Sequence, residues 1–386
     1  MSGAAVPVEW PAPLLAVTRR TRSTPWSDRV EAAGVRVYTT YNHMLLPSVF
    51  RGLEEDYHHL RRAVQVWDVG CQRQVELDGT DAGRLAQVLT VRDLRDFGVG
   101  RSGLAPIVDH EGMLLNDPVV LRVAADRWWF SISDLDIALW AGGIAHGAGL
   151  DVAVREPDVW PLAVQGPRAE ELMSRVFGES VRSLAYFRFV PLAFRGREML
   201  VSRSGWSAQG GFEVYVDDAA TGVALWDDLM AAGGDLEVGP GCPNLIERIE
   251  AGLLTYGTDI TREDTPLEAG MERYCSLDEP IAAIGLAALR ARAARGIDRR
   301  IAGLRIEGPR VPHQRNPWPV SVDARPVGRA TSTTWSPRLG HNVGVGMLAA
   351  SAWGEGTRVV VHAPDGDRQA EVVPTPFPGA SQRARR

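Results

Sequence analysis

At 386 residues the chain is long enough for two or three domains around a sizeable buried core. It is 45% hydrophobic and 23% charged, the balance of a globular protein, which argues against a disordered chain. The formal charge of −6 excludes a chain-wide basic surface for nucleic acid, and three widely spaced cysteines (Cys71, Cys242, Cys275) with no CxxC pair argue against a disulfide framework or a thiolate zinc site.

Residues 1–20 are Pro-rich and are expected to form a loose arm. Ser27–Ala33 reads as a helix and Val35–Tyr41 as a strand. Leu53, Tyr57, Leu60 and Val64 recur at helical spacing and predict a helix over Leu53–Val66, with Glu54, Glu55 and Asp56 placed to favour its dipole. VWDVG and the alternating RQVELDG follow, then a helix at Asp81–Leu89. Ala105–Val108, Asp117–Val123 and Trp128–Ile132 read as strands, and Asp136–Gly147 as a helix. Asp151–Gln165 is strand-rich and feeds a helix at Arg168–Phe177. Strands are expected at Phe187–Phe194 and Glu198–Ser202, and a helix at Gly222–Ala232. AAGGDLEVGPG reads as a loop, and Cys242–Tyr256 as a helix stopped by Gly257. After the Ala/Arg-rich helix Ile284–Arg295 the texture changes to short strands with turns at EGP, SPRLG and APDGD. The expected class is α+β: a core over 21–280, a β-domain over 281–376 and a disordered tail over 377–386. The N-terminus lacks the layout of a secretory signal, and no apolar run reaches about 18 residues, so a cytoplasmic protein is expected.

Several stretches could carry chemistry. Asp117 follows Leu114-Leu115-Asn116 and precedes Pro118-Val119-Val120, which suits a turn carboxylate as well as an acid at a pocket edge. Glu213 in GGFEVYV sits in an alternating strand, where a Glu usually faces solvent. Trp206 lies in the turn Gly205-Trp206-Ser207-Ala208, either packing over that turn or offering an aromatic face to a ligand. His43 in YNHMLLP, Tyr41 and Tyr256 are candidate proton donors or pocket walls, each with a structural alternative. Glu54, Glu55, His58 and His59 share a helix at metal-compatible spacing, but solvated ion pairs suit them better and no metal is expected. There is no HExxH, Walker loop, GxSxG elbow or dinucleotide fingerprint.

LLNDPVV at Leu114–Val120, LVSRSGWSAQGGFEVYV at Leu200–Val216 and IERIEAGLLTYGTDI at Ile246–Ile260 together resemble the glycine-cleavage T-protein family, over roughly residues 20–376. The resemblance implies a disc of two interleaved α/β subdomains closed by a C-terminal β-barrel-like domain, with tetrahydrofolate in a central channel. It implies that Asp117 is the carboxylate that acts in catalysis and that Glu213 grips the amino-pyrimidine edge of folate, while His43 stands as a catalytic candidate by its residue type alone. Trp206 and Ser133 would join Asp117 and Glu213 around the folate, and Tyr41, Trp206 and Tyr256 would line the substrate side.

Departures from the usual pattern point to one branch. Asn116 replaces the first of two adjacent acids, Trp206 replaces Tyr, Asn244-Leu245 stands where Arg-Asp is expected, Ser133 replaces Asn, and Trp67–Gln72 differs from Phe-Asp-Val-Ser-His-Met. These features resemble the dimethylsulfoniopropionate demethylase-like members. They imply an enzyme that moves a methyl group from a small S-, O- or N-methyl compound to N5 of tetrahydrofolate. The alternatives are an aminomethyltransferase of glycine cleavage and a non-catalytic folate-binding assembly factor. The expected partner is a small methyl donor, not nucleic acid or membrane, and monomer and homo-oligomer stay equally open.

Overall fold

A computed structural model describes residue 18 and residues 20–380. Two antiparallel-rich sheets, a closed barrel and two small hairpins carry the strands. The larger sheet has six strands in the order Phe189–Phe194, Arg197–Ser202, Gly211–Val216, Trp160–Gln165, Val64–Asp68 and Val238–Gly241. Its last pair is parallel. Helices Ala169–Phe177 and Ala219–Ala232 cover it, burying Leu172, Met173, Leu225 and Leu229 against Val64, Val164, Val201 and Val214. The second sheet has five strands in the order Ala153–Arg155, Gln74–Asp78, Arg127–Ser131, Val119–Arg122 and Ser102–Leu104. It packs against helices Ala82–Leu89 and Ala138–Gly147. Trp129 of one sheet meets Tyr215 of the other, with ring centroids 5.8 Å apart.

Six strands between Arg299 and Val373 close into a barrel with its own apolar interior around Leu304, Val320, Leu348 and Val361. One short helix, Leu245–Ala251, joins it to the larger sheet's subdomain through buried charge pairs. Arg248 donates to Asp259 (2.6 Å) and to Ser332 on a barrel strand (2.6 Å). Glu250 accepts from Tyr57 (3.0 Å), Ser336 (2.5 Å) and Arg338 (2.9 Å). Each buried charge therefore has the several partners it needs in a medium that cannot hydrate it.

The α+β class and the C-terminal barrel are as expected, and three elements differ. The helix predicted over Leu53–Val66 stops at Arg62, and Val64–Asp68 is a strand buried along its whole length. A strand covered on both faces shows no alternation, so its apolar residues extend the helical pattern. The helix predicted over Cys242–Tyr256 is only Leu245–Ala251; Gly252 ends it at φ +67°, a left-handed cap that favours glycine. The expected loop holds the strand Val238–Gly241, whose proline suits an edge position. Residues 1–17 and 19 of the expected arm, and 381–386 of the expected tail, lie outside the described residues. Phe377, assigned to that tail, is buried, and its N–H donates to the carbonyl of Glu250 (2.8 Å). Among the described residues no helix is long and apolar enough to cross a membrane.

Candidate active site

A cavity of about 1860 Å³ opens where the two sheets, the hairpin Val37–Val49 and the barrel meet. Asp117, Ser133, Glu213, Trp206, Tyr41 and Tyr256 all line it. His43, the other residue singled out in the sequence, does not. It is exposed at the hairpin tip, where Asn42 (φ 49°) and His43 (φ 62°) form a turn with both residues left-handed. The structure thus places His43 on a turn outside this cavity, apart from the other candidates.

Asp117 sits between the strands Leu114–Asn116 and Val119–Arg122. Its neighbour Asn116 is fully buried and clasps the backbone of residue 133 from both sides. Its Oδ1 accepts from Ser133 N (2.9 Å), and its Nδ2 donates to Ser133 O (3.2 Å). Only an amide both accepts and donates in this way, which accounts for Asn where the family pattern has an acid. The clasp delivers the Ser133 hydroxyl, which donates to Asp117 Oδ1. Burial pushes the Asp117 carboxyl up to about 6, with the Ser133 hydrogen bond working against that rise. Tyr41 is hydrogen-bonded to Ser133, and burial, then the charge of Asp117, raises its phenol. Tyr256 donates to Leu114 O (3.2 Å) on the same wall.

Glu213 lies in the middle of its sheet, paired with Ala163 on one side and Ser202 on the other. Its strand is covered on both faces, so the alternation that suggests a solvent-facing Glu does not apply. It is buried, accepts from Ser204 (2.5 Å) and borders the cavity. Burial raises its pKa and the Ser204 bond lowers it. Among the described residues no protein donor reaches its second oxygen, Oε1.

Trp206 is half-buried in the turn that follows Ser204. Gly205 takes φ +145° there, and a Cβ at that position would lie 2.0 Å from the Gln165 amide. Gln165 holds the turn by donating to Ser204 O (3.1 Å) and accepting from Ser207 Oγ (2.8 Å). Trp67, Cys71 and Gln72, from the stretch that departs from the family pattern, also border the cavity. Asn244 does not. It caps the helix Leu245–Ala251, its Oδ1 accepting from Ile246 N (3.0 Å) and Glu247 N (3.2 Å).

The four residues Glu54, Glu55, His58 and His59 share the helix Leu53–Arg62. His59 spends both ring nitrogens, on Glu237 O (2.8 Å) and Gln65 (3.1 Å), and Glu54 pairs with Arg310. Among the described residues no group of three or more His, Cys, Asp or Glu is arranged to hold a metal ion.

Sequence reasoning missed Ser204 and Gln165, and noted Asn116 only as a departure from the family pattern, without its clasp on Ser133. Their side chains act on partners distant in sequence, and no local spacing marks them.

Two family models match: the GCVT N-terminal domain over residues 26–279, and the glycine cleavage T-protein C-terminal barrel domain over 299–378. The chain is 50% identical over 355 residues to dimethylsulfoniopropionate demethylase DmdA of Ruegeria pomeroyi, covering 92% of this chain and 97% of that protein. It is 30% identical over 376 residues to an aminomethyltransferase of Rubrobacter xylanophilus, covering 94% of this chain and 96% of that one. Its fold matches the crystal structure of glycine cleavage system aminomethyltransferase T from Bartonella henselae with a TM-score of 0.83 at 21% identity, covering 93% and 98% of the two chains.

Proposed function

Because this chain belongs to the glycine cleavage T-protein family, we propose that it is a tetrahydrofolate-dependent demethylase that moves a methyl group from dimethylsulfoniopropionate to N5 of tetrahydrofolate. The observation that carries this reading is the meeting of Asp117, Glu213 and Trp206 in one cavity of a chain half identical to a demethylase of that donor. A small-molecule donor and a cytoplasmic setting go with it.

The residues present suit tetrahydrofolate. Glu213 offers its free Oε1, beside the Ser204-bound Oε2, to the paired N–H donors of a 2-amino-pyrimidine. Such donors restore to the carboxylate what burial removes. When bound, tetrahydrofolate supplies the nucleophilic nitrogen. A sulfonium donor leaves as a neutral thioether that keeps the C–S electron pair and needs no proton, so a strong general acid is not required. The chain's own contribution is alignment and exclusion of water. Trp206 presents an aromatic face to the cation, worth roughly 0.5–2 kcal/mol. Asp117, held at Oδ1 by Ser133, orients the acceptor and takes up a proton at Oδ2, for which a pKa of about 6 is suited near neutrality.

The test is a mass-resolved assay with tetrahydrofolate and a donor panel of dimethylsulfoniopropionate, methoxyarenes and methylamines. The expected result is methyl-tetrahydrofolate with dimethylsulfoniopropionate alone. Turnover only with another donor moves the substrate to that class; clear folate binding with no turnover on any donor sinks the demethylase reading.

A further inference from the structure

The helix that joins the core to the barrel carries one buried acid with no part in that joint. Glu247 is 1% exposed, lies in the first turn of Leu245–Ala251, and turns away from the barrel towards the loop that carries Trp206. Its Oε1 accepts from the backbone N–H of Ala208 (2.8 Å) and from Gln209 Nε2 (3.0 Å). Both donors are within three residues of Trp206. The loop's other anchor, Gln165, belongs to the sheet, so the turn is held from two separate elements.

The helix itself is a rigid post. Asn244 caps it and donates to Leu53 O (3.0 Å), while Arg248 fastens it to Asp259 and Ser332. A carboxyl group buried at this position has a desolvation cost that a leucine would not incur, and burial pushes its pKa up to about 7 against the pull of the Gln209 and Ala208 hydrogen bonds. What the carboxylate adds is direction: two donors on one oxygen fix where the turn lies against the helix.

We propose that Glu247 is a positioning residue for the methyl donor, setting the Trp206 ring at the cavity wall through Ala208 and Gln209. The proposal rests on the reading of Trp206 as the surface that receives the donor cation. Glu247 does not itself border the cavity, so its effect passes through the turn. It acts on donor binding and leaves the folate grip at Glu213 alone.

The test compares Glu247→Gln, which keeps an acceptor oxygen, with Glu247→Leu, which keeps the volume and removes it. The indole ¹⁵N–H resonance of Trp206, assigned by its loss in Trp206→Phe, reports the ring directly. Glu247→Gln is expected to leave that resonance and the donor KM near those of the unaltered enzyme. Glu247→Leu is expected to shift or broaden it and raise the donor KM about tenfold, with folate affinity unchanged. The proposal is overturned if Glu247→Leu leaves the Trp206 resonance in place, or if it perturbs Trp160 and Trp226 equally and weakens folate alongside the donor, the mark of a general packing role. If the unaltered enzyme turns over no donor, the functional reading fails by itself, and the Trp206 resonance still decides the role of Glu247.

Discussion

The joint between core and barrel holds fully buried carboxylates, the wall of the cavity holds the buried Glu213 and the half-buried Asp117, and the two regions treat them in opposite ways. At the joint Glu250 has Tyr57, Ser336 and Arg338, and Asp259 has Arg248, Thr331, Ser332 and the N–H of Thr255. At the cavity Asp117 has Ser133 and Glu213 has Ser204, one hydroxyl each and no cation. Fully partnered buried charge holds a structure together. Buried charge left short of partners is what a ligand-binding carboxylate requires, which fits the roles proposed for Asp117 and Glu213. The same residue type thus reads as structural or functional from its partner list.

Substitutions should divide along that line. The largest effect is expected at the joint. Arg248→Met leaves Asp259 buried without its cation, and urea unfolding should show a loss of about 3–5 kcal/mol. A stability close to that of the unaltered protein would mean the joint is not what secures the barrel.

At the cavity the sign should reverse, with function lost and stability kept. Glu213→Gln is expected to weaken tetrahydrofolate by about 2–3 kcal/mol, roughly 30–150-fold in Kd by calorimetry, with no loss in unfolding free energy.

Asp117→Asn probes the same contrast through pH. The carboxyl of Asp117 is raised from 3.8 to about 6, so the folded protein holds that proton more tightly than the unfolded chain. The associated stability is fully present below about 3.8 and is lost as pH rises through about 6. Asp117→Asn should therefore unfold like the unaltered protein near pH 4 and be more stable by about 1–3 kcal/mol above pH 7. Its activity should fall, and the acid limb of kcat/KM near 6 in the unaltered enzyme should vanish. The smallest effect is expected from Trp206→Leu: donor KM raised by about 0.5–2 kcal/mol in binding, with folate Kd unchanged.

Much of this was legible in the chain. Asp117, Glu213, Trp206, Tyr41, Ser133 and Tyr256 stand at motif positions, and the structure brings all six to one cavity. The change of texture after Arg300 marked the barrel, because short strands between turns look alike in any closed sheet. What stayed hidden was set by tertiary contact. The strand Val64–Asp68 is buried on both faces and shows no period of two, so its first three residues, Val64 to Val66, read as the end of the preceding helix. His43 carries a catalytic residue type, but its place in the left-handed hairpin turn follows from the pairing of Tyr41 with Met44. Glu247 reaches Ala208 across 39 residues, and no spacing within one element encodes that contact.

The most direct measurement uses dimethylsulfoniopropionate carrying deuterated methyl groups, tetrahydrofolate and the unaltered enzyme near neutral pH, with the folate product weighed by mass spectrometry. Direct methyl transfer gives methyl-tetrahydrofolate carrying all three deuterium atoms, and a thioether that retains the other labelled methyl. Unlabelled folate, or a folate bearing a methylene group with only two deuterium atoms, would contradict direct methyl transfer in this cavity.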